Sequence, residues 1–371
     1  MNIGIDTRLI HETGVGRYIR NLLRYLSVLD GKNTYYIYTR SEAVGEVRSL
    51  FPKSIIRVSD VRWHTVKEQL LMPFIFGRDP LDLLHVPYFC IPVFYTGKLI
   101  ITIHDMTPLH VKTGKASTLP FPLFLLKRLF YRFVISEGIR KAIAIIAVSK
   151  TTKKEILDLY PEEREKVHVV SEGVDESLLL YRGKKLDNSI HDPYILYVGN
   201  VYPHKNVMTA VRAFELAKSR IQKKINPHFV LVGKNDAFTQ RLKMDPEVRK
   251  NGSLKFLTEV NDRMLAGLYT HASALIFPSE MEGFGLPAVE AIAFGCPVIL
   301  SDIPIFRELF SDVGVFASPR DAHEFSLHIQ KAIEKQMERI PLEIQSKYIA
   351  VYKWKEMASH ILTLYEDSYR I

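Results

Sequence analysis

Residues 274–291 read ALIFPSEMEGFGLPAVEA. Four apolar residues closed by Pro278 make a short buried strand. Gly283 and Gly285 do not suit a helix interior, whereas Pro287 suits a first helical turn, so a loop at the carboxyl end of the strand leads straight into a helix. A strand that feeds a helix in this way is the repeating unit of a parallel sheet covered on both faces. The loop presents backbone N–H groups and the positive end of a helix, a combination that holds phosphate. Glu282 stands before the helix and Glu290 about one turn inside it, so two carboxylates bracket the loop.

The same alternation runs through most of the 371 residues. Strand-like runs lie at 1–5, 34–39, 83–86, 99–105, 144–149 and 167–170, and the series restarts at 194–199, 228–233, 254–257, 274–279 and 297–302. Between them, segments such as GRYIRNLLRYL and MTAVRAFELAKSRI repeat apolar residues at three and four. The expected fold class is α/β, with two Rossmann-like doubly wound parallel-sheet domains facing across a cleft. The polar segment at 183–192 reads as a linker, dividing the chain into an N-terminal domain 1–186 and a C-terminal domain 187–350. Residues 351–371 carry Trp354, Ala358, Ile361, Leu362 and Tyr365 at helical spacing and are expected to pack back on the N-terminal domain.

Composition narrows the class. Hydrophobic residues at 47% and charged residues at 25% exclude disordered, collagenous and disulfide-framework chains. Cys90 and Cys296 match no metal-ligand spacing, which fits a reducing cytoplasm. The first segment carries Asp6 and Arg8 where a signal peptide needs an apolar core, and no apolar run reaches the length of a membrane span. The net charge of +9 is uneven: residues 1–190 hold 28 Lys and Arg against 20 Asp and Glu, and residues 191–371 hold 22 against 21. A basic half suits nucleic acid, an anionic membrane or a phosphorylated substrate, and no nucleic-acid reader motif accompanies it.

Three more segments fall at strand ends. Tyr197 to Asn206 (YVGNVYPHKN) follows the first strand of the second series, and Lys205 there can neutralise a diphosphate as a point charge. Gly14-Val15-Gly16 opens a helix after the first strand, and His104-Asp105 closes the strand at 99–105. Two other readings of the glutamate loop stand beside the phosphate reading. Gly283-x-Gly285-x-x-Ala288 with Asp302 formally meets a dinucleotide fingerprint, opposed by Pro287 and by a position late in the second sheet. A glycine loop that only turns the chain is the plainer alternative.

The spacing of Glu282 and Glu290 inside PSEMEGFGLPAVEAIAFGCPVILSD resembles the signature of retaining glycosyltransferases of family 4, which have the GT-B architecture. GVGRY, IHDMTPLH, IAVSKTTKKEI, SEGVDES, YVGNVYPHKN and LTEVNDRMLAGLY extend the likeness over nearly the whole chain, toward the mannosyltransferase-like branch that builds bacterial surface polysaccharides, lipopolysaccharide included. The resemblance implies a catalytic set of Glu282 at the transferred sugar, Lys205 at the departing phosphate and His104 beside the donor sugar. It further implies Glu290 at the ribose, the N–H groups of Phe284, Gly285 and Leu286 at the diphosphate, Gly16 approaching the diphosphate, and Val260 with Thr258 bordering the base. Asn200 joins the expected substrate-binding set; many relatives carry arginine at that place, so either Lys205 acts without a cationic partner or another basic residue supplies one.

The activity implied is transfer of a hexose, mannose from GDP-mannose, to a glycan or lipid-linked acceptor, with UDP-sugar donors or a non-catalytic nucleotide-sugar-binding protein as alternatives. No cofactor is expected. The chain has no Asp-x-Asp, so no metal is expected either. On the acceptor side, Pro122, Leu125, Leu126, Leu129, Phe130 and Phe133 share one helical arc and Lys127, Arg128 and Arg132 another. That basic amphipathic pattern suits peripheral contact with an anionic membrane at the inner face of the cell membrane.

Overall fold

The computed structural model describes residues 1–89, 91–110, 121–186, 190 and 192–370. Among them, short runs rich in isoleucine, valine, leucine and tyrosine form two parallel sheets. The first has seven strands in the order β3-β2-β1-β4-β5-β6-β7. These are β1 (Asn2–Asp6), β2 (Thr34–Thr39), β3 (Ile55–Val58), β4 (Leu83–Val86), β5 (Leu99–Ile103), β6 (Ala144–Ala147) and β7 (Val167–Val169). The second has six, in the order β10-β9-β8-β11-β12-β13. They are β8 (Tyr194–Val198), β9 (His228–Val232), β10 (Leu254–Leu257), β11 (Ala274–Phe277), β12 (Val298–Ser301) and β13 (Val315–Ala317).

The α/β class and the two Rossmann-like sheets expected from the sequence are what the structure has. Every residue of β4, β5, β6, β9, β11 and β12 is buried, because helices cover both faces of each sheet. β3 and β13 were not among the expected strands. Both lie at sheet edges, where partial cover permits a shorter, half-exposed apolar run. Cys296 is fully buried, and burial pushes its thiol up to about 12; Cys90 lies outside the described residues.

The chain divides into two units, Met1–Glu172 with Trp354–Ile371, and Gly173–Lys353. By packing, the division falls at 172/173, ahead of the segment read as a linker. Residues beyond Gly173 already belong to the second unit: Val174 N donates to the Tyr352 carbonyl (3.0 Å), Arg182 Nε to the Ala293 carbonyl (3.1 Å), and the Leu186 carbonyl faces His271 Nε2 at 3.2 Å. The turn-rich composition near 183–192 therefore marks a loop inside that unit; Asp187, Asn188, Ser189 and His191 lie outside the described residues.

In the first unit, the helix Trp354–Arg370 buries Trp354, Met357, Ala358, Ile361 and Tyr365, one stripe at helical spacing, against the helix Gly14–Leu29. Tyr365 OH and His85 Nδ1 are 2.6 Å apart, His85 Nε2 and Thr102 Oγ1 2.9 Å, and Thr102 Oγ1 and Tyr18 OH 3.0 Å, a hydrogen-bonded row from the helix across the sheet. Burial pushes His85 down to about 3, so its imidazole is neutral and one nitrogen accepts. On the helix Lys150–Leu159, Glu155 is pushed up to about 7, first by burial and then by the charges of Asp105 and Asp158.

Two outcomes follow for stability. Trp354 is 1% exposed and meets Tyr18 edge-on at 6.3 Å. Trp354→Ala is expected to cost about 3–5 kcal/mol in denaturant unfolding; a loss below about 1 kcal/mol would mean that the stripe contributes little. The folded chain holds the Glu155 proton more tightly than the unfolded one, whose carboxyl titrates near 4.5. This contribution is full below the unfolded value and is lost as pH rises through about 7. Glu155→Gln is accordingly expected to raise the thermal midpoint at about pH 8 and to change it little at about pH 4, in a pH series of melting curves.

Candidate active site

In the second sheet, crossovers leave β8 and β11 in opposite directions, so the loops at their carboxyl ends part and expose a recess, the usual ligand position of an open α/β sheet. The β8 loop reaches it through Gly199, a short turn Pro203–Lys205 and Asn206, whose φ of 54° is left-handed. Asn206 Nδ2 donates to the carbonyls of Pro278 (3.1 Å) and Pro319 (2.5 Å), and Glu280 N donates to the His204 carbonyl (2.8 Å). The bonds to Pro278 and from Glu280 tie the β8 loop to the β11 loop, and the bond to Pro319 ties it to the segment after β13. They bring Lys205 Nζ to 2.6 Å from Glu282 Oε1, which also accepts from Ser279 Oγ at 2.7 Å. The two side chains are 17% and 8% exposed, so the pair is partly desolvated and its attraction exceeds that of a surface ion pair. Beneath it, Tyr197 is fully buried, donates to the Asn200 carbonyl, and is held well above its usual range by burial and by the Glu282 charge.

The helix Leu286–Ala293 starts beside this pair. Its cap is Gly285, with φ of 103°, a left-handed conformation that favours glycine; a Cβ there would also meet the Phe306 ring at 3.0 Å. Pro287 occupies the first turn, as the sequence indicates. N–H groups at a helix start have no acceptor within the helix, so those around Phe284, Gly285 and Leu286 are placed to meet an anion. Phe284 is buried edge-on to Tyr352 at 5.4 Å, which steadies the loop. Glu290, 1% exposed, accepts from Tyr269 OH at 2.8 Å. Asn200 Oδ1 is buried with no hydrogen-bond partner among the described residues. Val260 is half-buried after β10, and Thr258 is exposed at the rim of a small hollow that Gly199, Val201, Gly233 and Thr239 also line. Asp302 of the dinucleotide reading is occupied by Arg307 at 2.6 Å.

The first unit has its own reversal between β1 and β4. There Arg8 NH2 lies 2.6 Å from Asp6 and 2.7 Å from Glu68, all three side chains nearly out of solvent, and Arg8 NH1 donates to the Val61 carbonyl. Burial holds the Glu68 carboxyl above its usual range despite the Arg8 charge. His104 Nδ1 faces Glu172 Oε1 at 2.9 Å and Nε2 faces the Pro87 carbonyl at 3.2 Å, with Tyr18 edge-on at 4.9 Å. Gly16 has a structural reason to be glycine: a Cβ would stand 2.3 Å from the Ile10 carbonyl oxygen.

The structure thus brings Lys205, Glu282 and the helix start together, and places His104 and Gly16 in the first unit. Sequence reading missed Ser279, Asn206, Glu172 and the Arg8 network. Asp6-x-Arg8 at the end of the first strand was a visible signal, whereas the partners Glu68 and Glu172 come from far along the chain. Among the described residues no group of three His, Cys, Asp or Glu is placed to hold a metal.

Comparison with known proteins bears on the chain as a whole. Residues 13–178 match the description Glycosyltransferase Family 4, and residues 184–349 match Glycosyl transferases group 1. The chain is 28% identical over 259 residues to the O-antigen chain mannosyltransferase RfbU of Salmonella typhimurium, covering 69% of this chain and 66% of that protein. It is 33% identical over 176 residues to the serotype-specific mannosyltransferase WbdA of Escherichia coli, covering 46% of this chain and 20% of that protein. The match therefore spans from a fifth to about two thirds of these relatives' own length. Sucrose-phosphate synthase from Thermosynechococcus elongatus superposes with a TM-score of 0.74 at 18% identity, covering 99% of this chain and 98% of that one. Anabaena HepE in complex with UDP and glucose superposes with a TM-score of 0.72 at 15% identity, covering 99% and 100%. With residues 13–178 matched by the family 4 description and residues 184–349 by the group 1 description, which together span most of the chain, the chain belongs to the glycosyltransferases that these two descriptions name.

Proposed function

We propose that this chain transfers mannose from GDP-mannose to a hydroxyl of a glycan or lipid-linked acceptor, with retention of configuration and without a metal, in the synthesis of a surface polysaccharide. The observation that carries the reading is the Lys205–Glu282 pair at the start of the helix Leu286–Ala293. Breaking the bond between the sugar and the diphosphate leaves its electron pair on the phosphate, where helix-start N–H groups and the Lys205 ammonium stabilise it. As Lys205 turns to the phosphate, Glu282 is left to accept from a hydroxyl of the transferred sugar. The acceptor's proton passes to the departing phosphate oxygen on the same face, so no separate base is required. Asn200 brings no second cation, which makes Lys205 the centre of charge stabilisation. His104, set by Glu172, serves the sugar. The names of RfbU and WbdA support mannose as the transferred sugar.

Glu282→Gln is expected to lower turnover roughly a hundredfold or more while nucleotide affinity stays within a few-fold, measured by product formation beside calorimetric titration of GDP. Parallel loss of both would favour a purely structural role. A panel of GDP-mannose, UDP-glucose, UDP-galactose and UDP-N-acetylglucosamine, read by thermal shift and slow hydrolysis, is expected to single out GDP-mannose. Nucleotide-sugar binding without hydrolysis or transfer would favour the non-catalytic alternative. Chelator is expected to leave the rate unchanged; a collapse reversed by magnesium or manganese would overturn the metal-free step.

A further inference from the structure

We propose that a hollow beside Arg8 in the first unit is a saccharide-binding site, selective for a neutral sugar of the acceptor over its phosphate groups. The hollow lies where strand order reverses between β1 and β4, a usual ligand position in open α/β sheets. Its buried end is made by Asp6, Arg8, Glu68 and Pro87, and its partly exposed rim by Leu9, Trp63 and Tyr88. The empty space is about 260 Å³, part of it open to solvent, below the roughly 300–1,000 Å³ of sites for drug-sized ligands, so it suits a single ring.

One donor at the buried end is left over. Each terminal nitrogen of a guanidinium carries two N–H groups. On Arg8, NH2 uses both, toward Asp6 (2.6 Å) and Glu68 (2.7 Å), and NH1 uses one, toward the Val61 carbonyl (2.9 Å). The second N–H of NH1 has no acceptor among the described residues, although Arg8 is only 4% exposed. A buried donor left unmet is costly, and a hydroxyl oxygen of a ligand would satisfy it.

The rim is held from several sides. Glu68 Oε2 accepts from His64 N at 2.7 Å, and His64 has a φ of 62°, a left-handed conformation uncommon outside glycine. Trp63, just before that turn, has the Arg40 guanidinium 5.7 Å from its ring centre. Tyr88 packs on Phe89 with ring centres 4.0 Å apart, and the His64 ring meets them at 5.6 and 5.9 Å. His64 Nδ1 is 2.5 Å from Tyr131 OH on the helix Phe121–Lys141. Of the apolar arc expected on that helix, Leu125, Leu126, Leu129 and Phe133 are exposed, but Phe130 is half-buried against the core; the side chains of Pro122 and Lys127 lie outside the described residues. No helix among the described residues is long and apolar enough to cross a membrane.

Chemistry selects the ligand. The negative face of an aromatic ring attracts the weakly positive C–H groups of a pyranose. The carboxylates and the spare N–H offer partners to its hydroxyls. Arg8 faces the two acids Asp6 and Glu68, so the buried end has no spare positive charge for a phosphate, although the surrounding half of the chain is basic. The Pro87 carbonyl is 3.2 Å from His104 Nε2, so the hollow adjoins that histidine. Assigning the sugar to the acceptor rests on the transfer reading; the binding of a sugar there does not.

Tryptophan emission tests it. The sequence has two tryptophans, and Trp354 is 1% exposed in the core, so a change on adding sugar reports Trp63. Titration of the full chain with methyl glycosides of mannose, glucose, galactose and N-acetylglucosamine is expected to give a saturable change for at least one of them, and inorganic pyrophosphate none. Trp63→Phe is expected to abolish that change. Tyr88→Ala is expected to weaken binding of the same glycoside ~tenfold in calorimetry while its melting curve holds. The proposal is overturned by no saturable change with any glycoside, by a change that survives Trp63→Phe, by full affinity in Tyr88→Ala, or by tighter binding of pyrophosphate. If a glycoside binds at Trp63 but no nucleotide-sugar donor is hydrolysed, the site stands and the transfer reading falls; if donor is hydrolysed while Trp63 emission never responds, the reverse holds.

Discussion

Every strand among the described residues runs parallel to its neighbours, and that constraint organises the rest. A parallel neighbour can be reached only by a crossover, so helices must cover both faces and the strands read as nearly unbroken apolar runs. With peptide groups paired along β4, β5, β9 and β11 and side chains packed on either side, the sheet interiors have no room for solvated charge. Polar chemistry is displaced to the carboxyl ends, above all to where strand order reverses, between β1 and β4 and between β8 and β11. The Lys205–Glu282 pair and the Arg8–Asp6–Glu68 cluster occupy those two places.

The two clusters do different work with similar chemistry. Arg8 is enclosed by two carboxylates and a backbone carbonyl, and removing Arg8 would leave both carboxylates buried without a counter-charge. Such a cluster fixes the geometry of the loop after β1. Lys205 and Glu282 form a simpler pair beside a helix start, still reachable by solvent. An anion arriving at that helix can take the lysine without stranding the glutamate, because Ser279 continues to hold one of its oxygens. One cluster is nearly sealed from solvent and the other stays partly open to it.

What could be read in advance follows from the range over which each signal acts. The strand, glycine loop and proline-started helix at 274–291 are local, and the structure has them where the sequence places them. Lys205 and Glu282 were expected at the same sheet mouth because both follow strands, though their direct contact depends on Asn206 bridging two prolyl carbonyls. Glu172 beneath His104, and Glu68 beneath Arg8, were not legible, since each pairs across more than fifty residues with nothing in its own neighbourhood to announce it. The edge strands β3 and β13 escaped because half-covered strands lose the apolar continuity that marks the others. A turn-rich composition, as near 183–192, marks any exposed loop, inside a unit as well as between units.

The return of the helix Trp354–Arg370 to the first unit bears on how the chain is made. That unit's other elements end at Glu172, roughly 180 residues before the helix begins, a delay of roughly 10–40 s at ordinary rates of synthesis. During it, the helix Gly14–Leu29, Tyr18 included, lacks the cover that the later helix gives it in the finished molecule. The second unit, continuous in sequence, can close on itself as soon as it is made. On a ribosome the order of completion is therefore inverted: the unit begun first is finished last.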